Sequence, residues 1–213
     1  MLEGRSIGEI LRDAEAGRLA NIFAEEREPY DLVGSAERLF DLLDERGVGY
    51  VLVGGMAMLQ YVDGRNTRDV DLIVEPKALA VLPELAISDR DNDFARADFH
   101  SVQVDLLFTA NRLFKFVRDH HSGEAIFGTR PLRCATAQGM LLLKLFALPS
   151  LYRQGESARA AIYEADIAGL VARPDVDADA ALANLTRHLL ATDVQELRRI
   201  LKQIEERRAA FNP

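Results

Sequence analysis

Residues 50–74 read YVLVGGMAMLQYVDGRNTRDVDLIV, and this stretch decides the architecture. Tyr50 to Val53 is a short apolar run stopped by Gly54-Gly55, which reads as a strand ending in a tight turn. Met56 to Tyr61 reads as a helix leaving that turn, and Asp63-Gly64 breaks it. Asp69-Val70-Asp71-Leu72-Ile73-Val74 is the next strand, closed by Pro76. Residues two apart in a strand face the same side, so Asp69 and Asp71 point one way while Val70 and Leu72 point into the core.

Working outward, residues 1–34 read as a helical and extended N-terminal segment, with a short helix from Ile7 to Ala14 and a charged stretch ending in Glu28-Pro29-Tyr30. Ser35 is the expected N-cap of the following helix, with Leu39, Phe40, Leu42 and Leu43 as its buried stripe and Gly47 near its end. Downstream, Lys77 to Leu85 suits a helix and Ser88 to Asp98, rich in Asp, reads as a loop. Ser101 to Phe108 is a third strand, Asn111 to Val117 a helix, and Ala125 to Cys134 one or two short edge strands. From Thr136 the period is helical throughout, with helices at Thr136 to Leu148, Ser157 to Ala172, Ala178 to Ala191 and Asp193 to Ala210, separated by Pro149, Pro174 and Thr192. The expectation is an α/β (α+β) domain over 35–134 followed by a helical domain over 135–213.

Two ionised carboxylates side by side repel unless a cation sits between them. Oxygen ligands with room for water and phosphate are what Mg²⁺ prefers. Asp105, in Val102-Gln-Val-Asp-Leu-Leu-Phe108, sets the same chemistry in a second apolar strand; on an adjacent strand it would complete a triad able to hold two metal ions. Gly54-Gly55, between strand and helix, offer backbone N–H groups at a helix N-terminus where a phosphate can approach closely. Arg65 and Thr67, just before the acidic strand, add a cation and a hydroxyl for the same phosphates.

Gly54-Gly55, a spacer of a little over a dozen residues, Asp69-Val70-Asp71-Leu72 and the later Asp105 resemble the signature of the polymerase-beta-like nucleotidyltransferase superfamily. Val53-Gly-Gly-Met-Ala57 followed by Arg65-Asn-Thr-Arg-Asp-Val-Asp-Leu72 looks closest to the branch holding AbiEii-type toxins and minimal nucleotidyltransferases. Leu143-Lys-Leu-Phe-Ala-Leu148 and Asp166-Ile-Ala-Gly-Leu170 are similar to the helical segment that follows the catalytic sheet there. Relatives often carry Lys-Asp shortly before the Asp-Ile pair, where this chain has Ile162-Tyr163-Glu164, which leaves Asp166 without an assigned role.

The resemblance implies a mixed sheet with helices packed on one side, and an NTP substrate held with two Mg²⁺ (or Mn²⁺) ions by Asp69, Asp71 and Asp105. It implies transfer of a nucleoside monophosphate to an acceptor hydroxyl with release of pyrophosphate. Gly54, Gly55, Arg65 and Thr67 would hold phosphate, and Lys144 would reach the nucleotide. The acceptor stays open among an RNA or tRNA end, a protein, and a small molecule such as an aminoglycoside; an antitoxin partner follows from the toxin branch alone. The alternative is a non-catalytic nucleotide- or partner-binding module of the same fold.

Bulk properties agree with an ordinary globular protein: 213 residues, 48% apolar and 28% charged. No apolar stretch approaches the roughly 20 residues needed to span a bilayer. The start of the chain lacks a basic region followed by an apolar run, so a cytoplasmic location without membrane association is expected. A lone cysteine, Cys134, excludes an internal disulfide. A net charge of −8 argues against a broad basic surface for nucleic acid. Other Asp-x-Asp runs serve as internal controls: Asp175-Val-Asp177-Ala-Asp179 opens a helix, where acids favour the positive end. Asp89-Arg-Asp91-Asn-Asp93 starts like a calcium loop but lacks its glycine and closing Glu.

Overall fold

The acidic strand (β2, Asp69–Val74) takes the middle place in a seven-stranded mixed sheet of the computed structural model, which describes residues 6–12, 31–62, 67–100 and 102–211. On one side of β2 lie β5 (Val102–Phe108), β4 (Phe94–Phe99) and β3 (Ala86–Arg90), in that order. On the other lie β1 (Tyr50–Val53), β7 (Arg130–Ala135) and β6 (Ser122–Phe127). β2 pairs parallel with β5 and antiparallel with β1, and β1 pairs parallel with β7. The outer pairs β3-β4, β4-β5 and β6-β7 are antiparallel. Val70, Leu72, Val104 and Leu106 are completely buried, so the central strands are anchored by their apolar face.

Residues 7–12 are helical (α1), and α2 covers Leu32–Glu45. The N-cap of α2 is Asp31, whose carboxylate accepts from the Gly34 N–H at 2.7 Å, and not Ser35, which is buried inside the helix. Asp caps as well as Ser, and starting earlier brings Leu32, Val33 and Ala36 into the buried stripe; Leu42 is only half-buried. Phe40 stacks on Tyr50 at 5.5 Å and meets Phe127 edge-on at 5.2 Å, which ties α2 to β1 and β6. Gly47, just past the helix, has φ +64°, a conformation that suits glycine there.

Three expectations are corrected. Ser88 to Asp98 forms a β-hairpin and not a loop: Asp91 accepts from the N–H groups of Asp93 and Phe94 at 2.7 and 2.8 Å and closes the turn. The charges belong to one face of β4, where Ala95, Ala97 and Phe99 are buried and Phe94, Arg96 and Asp98 alternate with them. The helix expected from Lys77 to Leu85 is a shorter 3-10 helix, Pro76–Val81. The segment around Gly128 supplies an edge strand, β6, but β7 is internal, lying between β6 and β1. The remaining helices of this part are α3 (Gly54–Met58), which starts on the glycines themselves, and α4 (Arg112–His120), capped by Asn111 and packed on β2, β5 and β6.

The chain divides into two compact units, Met1–Ala135, which holds the sheet, and Thr136–Pro213. In the second unit α6 (Ser157–Val171), α7 (Ala178–Leu185) and α8 (Ala191–Phe211) each pack against α5 (Ala137–Arg153). α5 is apolar nearly all round, as a buried helix must be, with Met140, Leu141, Leu142, Leu145 and Leu148 sealed. It continues through Pro149, which was expected to end it; burial of Leu148 and Leu151 on either side outweighs the roughly 3 kcal/mol cost of an interior proline. Asp177 caps α7 through the Ala180 N–H at 2.8 Å, the structural use expected for that acidic run. Among the described residues no helix is long and apolar enough to cross a membrane.

Candidate active site

Strand register brings the three acids together. Asp71 stands opposite Asp105 across the parallel β2-β5 pair, and Asp69, two residues earlier on β2, stands opposite Gln103. Directly paired residues share a face of a sheet, as do residues two apart in one strand, so all three carboxylates lie on one side. One carboxylate oxygen from each falls within 4.8 Å of the others. Asp69 and Asp71 are half-buried, whereas Asp105 is 3% exposed.

The glycine turn is shaped around these acids. Val53, the last residue of β1, pairs with Asp71, so the chain turns at Gly54 directly beside that carboxylate. Gly54 has φ +64°, and a Cβ built there would collide with Asp71 Oδ2. A Cβ on Gly55 would collide with the Thr67 hydroxyl. The Gly55 N–H donates to Asp71 Oδ2 at 3.3 Å, and the buried Thr67 hydroxyl donates to Asp69 Oδ1 at 2.6 Å. Two of the residues read from the sequence as phosphate ligands thus orient the carboxylates in this structure.

Arg96 and Gln103, which belong to no motif, complete the cluster. Arg96 is paired with Asp105 across the antiparallel β4-β5 ladder and with Asp89 across β3-β4, so one row of the sheet reads Asp71, Asp105, Arg96, Asp89. Its guanidinium grips Asp105 with two bonds, Nε to Oδ1 and Nη2 to Oδ2, each 2.8 Å. Gln103 Nε2 donates to the same Oδ1 at 3.3 Å. The bond to Asp105 holds the Arg96 guanidinium above its ordinary pKa, with smaller contributions from the charges of Asp105, Asp69 and Asp89. The only legible trace of Arg96 was the alternation of Phe94-Ala-Arg-Ala-Asp-Phe99, hidden by the surrounding density of Asp.

The donor set suits a hard divalent cation. It is all oxygen, and three carboxylates crowd together on one face of the sheet. The bare glycines let the turn lie directly against the Asp71 carboxylate and the Thr67 hydroxyl. Asp69, Asp71 and Asp105 are the residues that would hold such an ion.

Arg65 falls outside the described residues. Lys144 belongs to the second unit, where its ammonium is buried 2.9 Å from Asp166 Oδ2 and 3.8 Å from the centre of the Tyr163 ring. The run at Asp89 forms the end of β3 and the turn after it.

No protein-family model and no curated protein matches the sequence. Solved structures do. The solution structure of the antibiotic-resistance factor ANT(2″)-Ia is similar with a TM-score of 0.50 and 16% sequence identity, over 84% of this chain and 94% of that one. The crystal structure of an antigenic nucleotidyltransferase-like protein from Paracoccidioides brasiliensis is similar with a TM-score of 0.50 and 14% identity, over 78% of this chain and 92% of that one. At such identities the likeness is one of fold, the mixed α/β fold of nucleotidyltransferases.

Proposed function

We propose that this chain is a divalent-metal-dependent nucleotidyltransferase that moves a nucleoside monophosphate from an NTP to an acceptor hydroxyl and releases pyrophosphate. One observation carries the proposal: Asp71 and Asp105 stand in register on parallel neighbouring strands with Asp69 on the same face, their oxygens within 4.8 Å, beside a turn that only glycine fits. Asp69, Asp71 and Asp105 are the catalytic and metal-holding residues. When bound, two Mg²⁺ (or Mn²⁺) ions supply a lowered pKa for the acceptor hydroxyl and neutralise charge on the triphosphate. Gly54 and Gly55 would hold the triphosphate through the backbone of the turn, Thr67 sets the rotamer of Asp69, and Arg65 supplies a cation to the phosphates. The acceptor oxygen attacks the α-phosphorus, the bond to the bridging oxygen breaks, and the acceptor proton passes to a base beside Asp105 or to Asp105 itself.

The sequence resemblance favours the AbiEii-type branch, and with it an RNA or tRNA end or a protein as acceptor, ATP or another NTP as donor, an antitoxin protein as partner and action in the cytoplasm. A small-molecule acceptor is the second reading, favoured by the net charge of −8, which suits a cationic acceptor better than a polyanion.

The test is transfer of label from each of four α-phosphate-labelled NTPs with Mg²⁺, in the presence of total RNA, of an aminoglycoside, or of neither. An Asp69→Ala/Asp71→Ala protein runs alongside. Label entering RNA, the drug or the protein itself with the wild type alone identifies the transferase and its acceptor class. Mg²⁺-dependent NTP binding without transfer to any acceptor points to a binding module, and absence of both refutes the proposal.

A further inference from the structure

The carboxylates occupy one end of the central strands, and a cavity lies at the other. Val53 pairs with Asp71 beside the glycine turn, whereas Tyr50 pairs with Val74 at the far end, about 10 Å along at the rise of a strand. There the structure holds an open cavity of about 590 Å³, within the size range of small-ligand sites. Its walls come from the loop between α2 and β1, the start of β1, the segment after β2, the end of α4 and Arg133 of β7. None of the lining residues belongs to the acidic cluster or to the glycine turn.

The charged lining consists of four cations, Arg46, Lys77, Arg118 and Arg133, and two carboxylates, Glu75 and Asp119. Both carboxylates are shared between cations. Glu75 takes Lys77 at 2.8 Å on one oxygen and Arg118 at 3.3 Å on the other. Asp119 takes Arg118 at 3.0 Å together with Lys115. Arg46 has Glu84 as its partner and donates to the Val81 carbonyl at 2.9 Å. Arg133 is bonded only to neutral oxygens among the described residues: its Nη2 donates to the Arg118 carbonyl at 3.3 Å and to the Ser122 hydroxyl at 2.5 Å.

This is the reverse of the acidic cluster. Guanidinium and ammonium groups gathered around one cavity repel one another, and an anion placed among them relieves that repulsion. The planar fork of an arginine matches the oxygens of a phosphate, and two such forks line this cavity beside a lysine. Val48, Val51 and Val81 give the same cavity an apolar part, suited to an uncharged body attached to the anion. In a chain of net charge −8, such a basic cavity is a local departure, and its size suits a small molecule better than a polymer.

We infer that this cavity is a second ligand site, separate from the carboxylates, that binds the phosphate chain of a small phosphorylated molecule, either an inorganic oligophosphate or a nucleoside polyphosphate. Arg118 and Arg133 take the phosphate oxygens, and Lys77, whose side chain is 84% exposed, approaches them from the open side.

Isothermal titration calorimetry on the full chain tests this, with inorganic tripolyphosphate and ATP as probes and EDTA present so that no metal bridges an anion to the carboxylates. The wild type is expected to bind tripolyphosphate at one site, more weakly as salt is raised. Arg133→Gln should weaken that binding by about tenfold or more. Lys77→Gln should weaken it by about threefold, and its exposure makes it the variant to rely on if Arg133→Gln does not fold. Asp69→Ala/Asp71→Ala should bind as the wild type does. ATP binding more tightly than tripolyphosphate supports the site with the nucleoside on the apolar part, and equal affinity supports it with the phosphate chain alone being read. No binding of either probe, unchanged affinity in both cation variants, a change confined to the Asp69→Ala/Asp71→Ala protein, or binding of single-stranded RNA alone overturns the inference. The transferase reading survives each of those results, since label transfer is measured separately with Mg²⁺.

Discussion

Lys144 and Asp166 in the helical unit are paired at 2.9 Å and sealed, at 3% and 2% exposure, whereas Asp69, Asp71 and Asp105 in the sheet unit crowd three carboxylates together, the first two half-exposed. Both groupings contain aspartate and a cation, and they differ in burial and in the crowding of like charges. The helical ion pair is buried, so losing either partner leaves a charge in a largely apolar setting. The sheet cluster holds three carboxylates at the rim of a glycine turn, two of them half-exposed to solution. Burial and the crowding of like charges, more than residue type, separate the two groupings.

The sharpest way to break this contrast is to neutralise one member of each grouping. Asp71→Asn should lower nucleotidyl transfer by at least about 10³-fold while leaving thermal stability unchanged or slightly raised, because an acid–acid repulsion is removed. Label transfer and a melting curve on the same preparation check both halves. A stability loss equal to that of a core mutation would show that the sheet cluster is structural after all.

Lys144→Met should behave in the opposite sense, costing about 3–5 kcal/mol by urea denaturation through the uncompensated Asp166. The double variant Lys144→Met/Asp166→Leu should recover most of that. Unchanged stability together with a raised KM for the nucleotide would instead assign Lys144 the nucleotide contact that its place in the sequence suggests.

The smallest effect concerns the sheet under the acids. Burial pushes the Cys134 thiol up to about 12, only partly offset by the Gln60 amide donating to Sγ at 2.9 Å. Alkylation by iodoacetamide at pH 8 should therefore be slower in the native protein than in urea by about 10²-fold or more. Because this folded value lies above the ordinary 9.0, the associated stability is complete below pH 9 and is lost as the pH rises toward 12. Tyr50, also raised chiefly by burial, adds to the same alkaline loss. Rapid alkylation of the native chain would mean that the sheet opens readily.

Phe40 offers a stability reference for these measurements, since it is completely buried between Tyr50 and Phe127. Phe40→Ala should cost about 3–5 kcal/mol in the same urea titration.

Much of this was legible along the chain. Tyr50–Val53 and Asp69–Val74 are strands over the residues that their apolar runs and glycine or proline stops mark out, and the shared face of Asp69 and Asp71 follows from a period of two that no tertiary contact can alter. Asp105 was legible as an acid inside an apolar strand. The hairpin of β3 and β4 was not, because a strand with one charged, open face has the composition of a loop. Nor was the start of α2, where Asp31 and Ser35 are equally good caps and only the burial of Leu32 and Val33 chooses between them.

Local spacing along the sequence therefore determined the acidic strand, the glycine turn and the kind of chemistry they can support. Tertiary structure alone decided that Asp71 stands against Asp105, that Arg96 grips Asp105 from the next strand, and that Lys144 finds Asp166. The physical reason is that periodicity is set by the backbone of each residue and its neighbours, whereas register and ion pairing are set by which distant segments bury their apolar faces together.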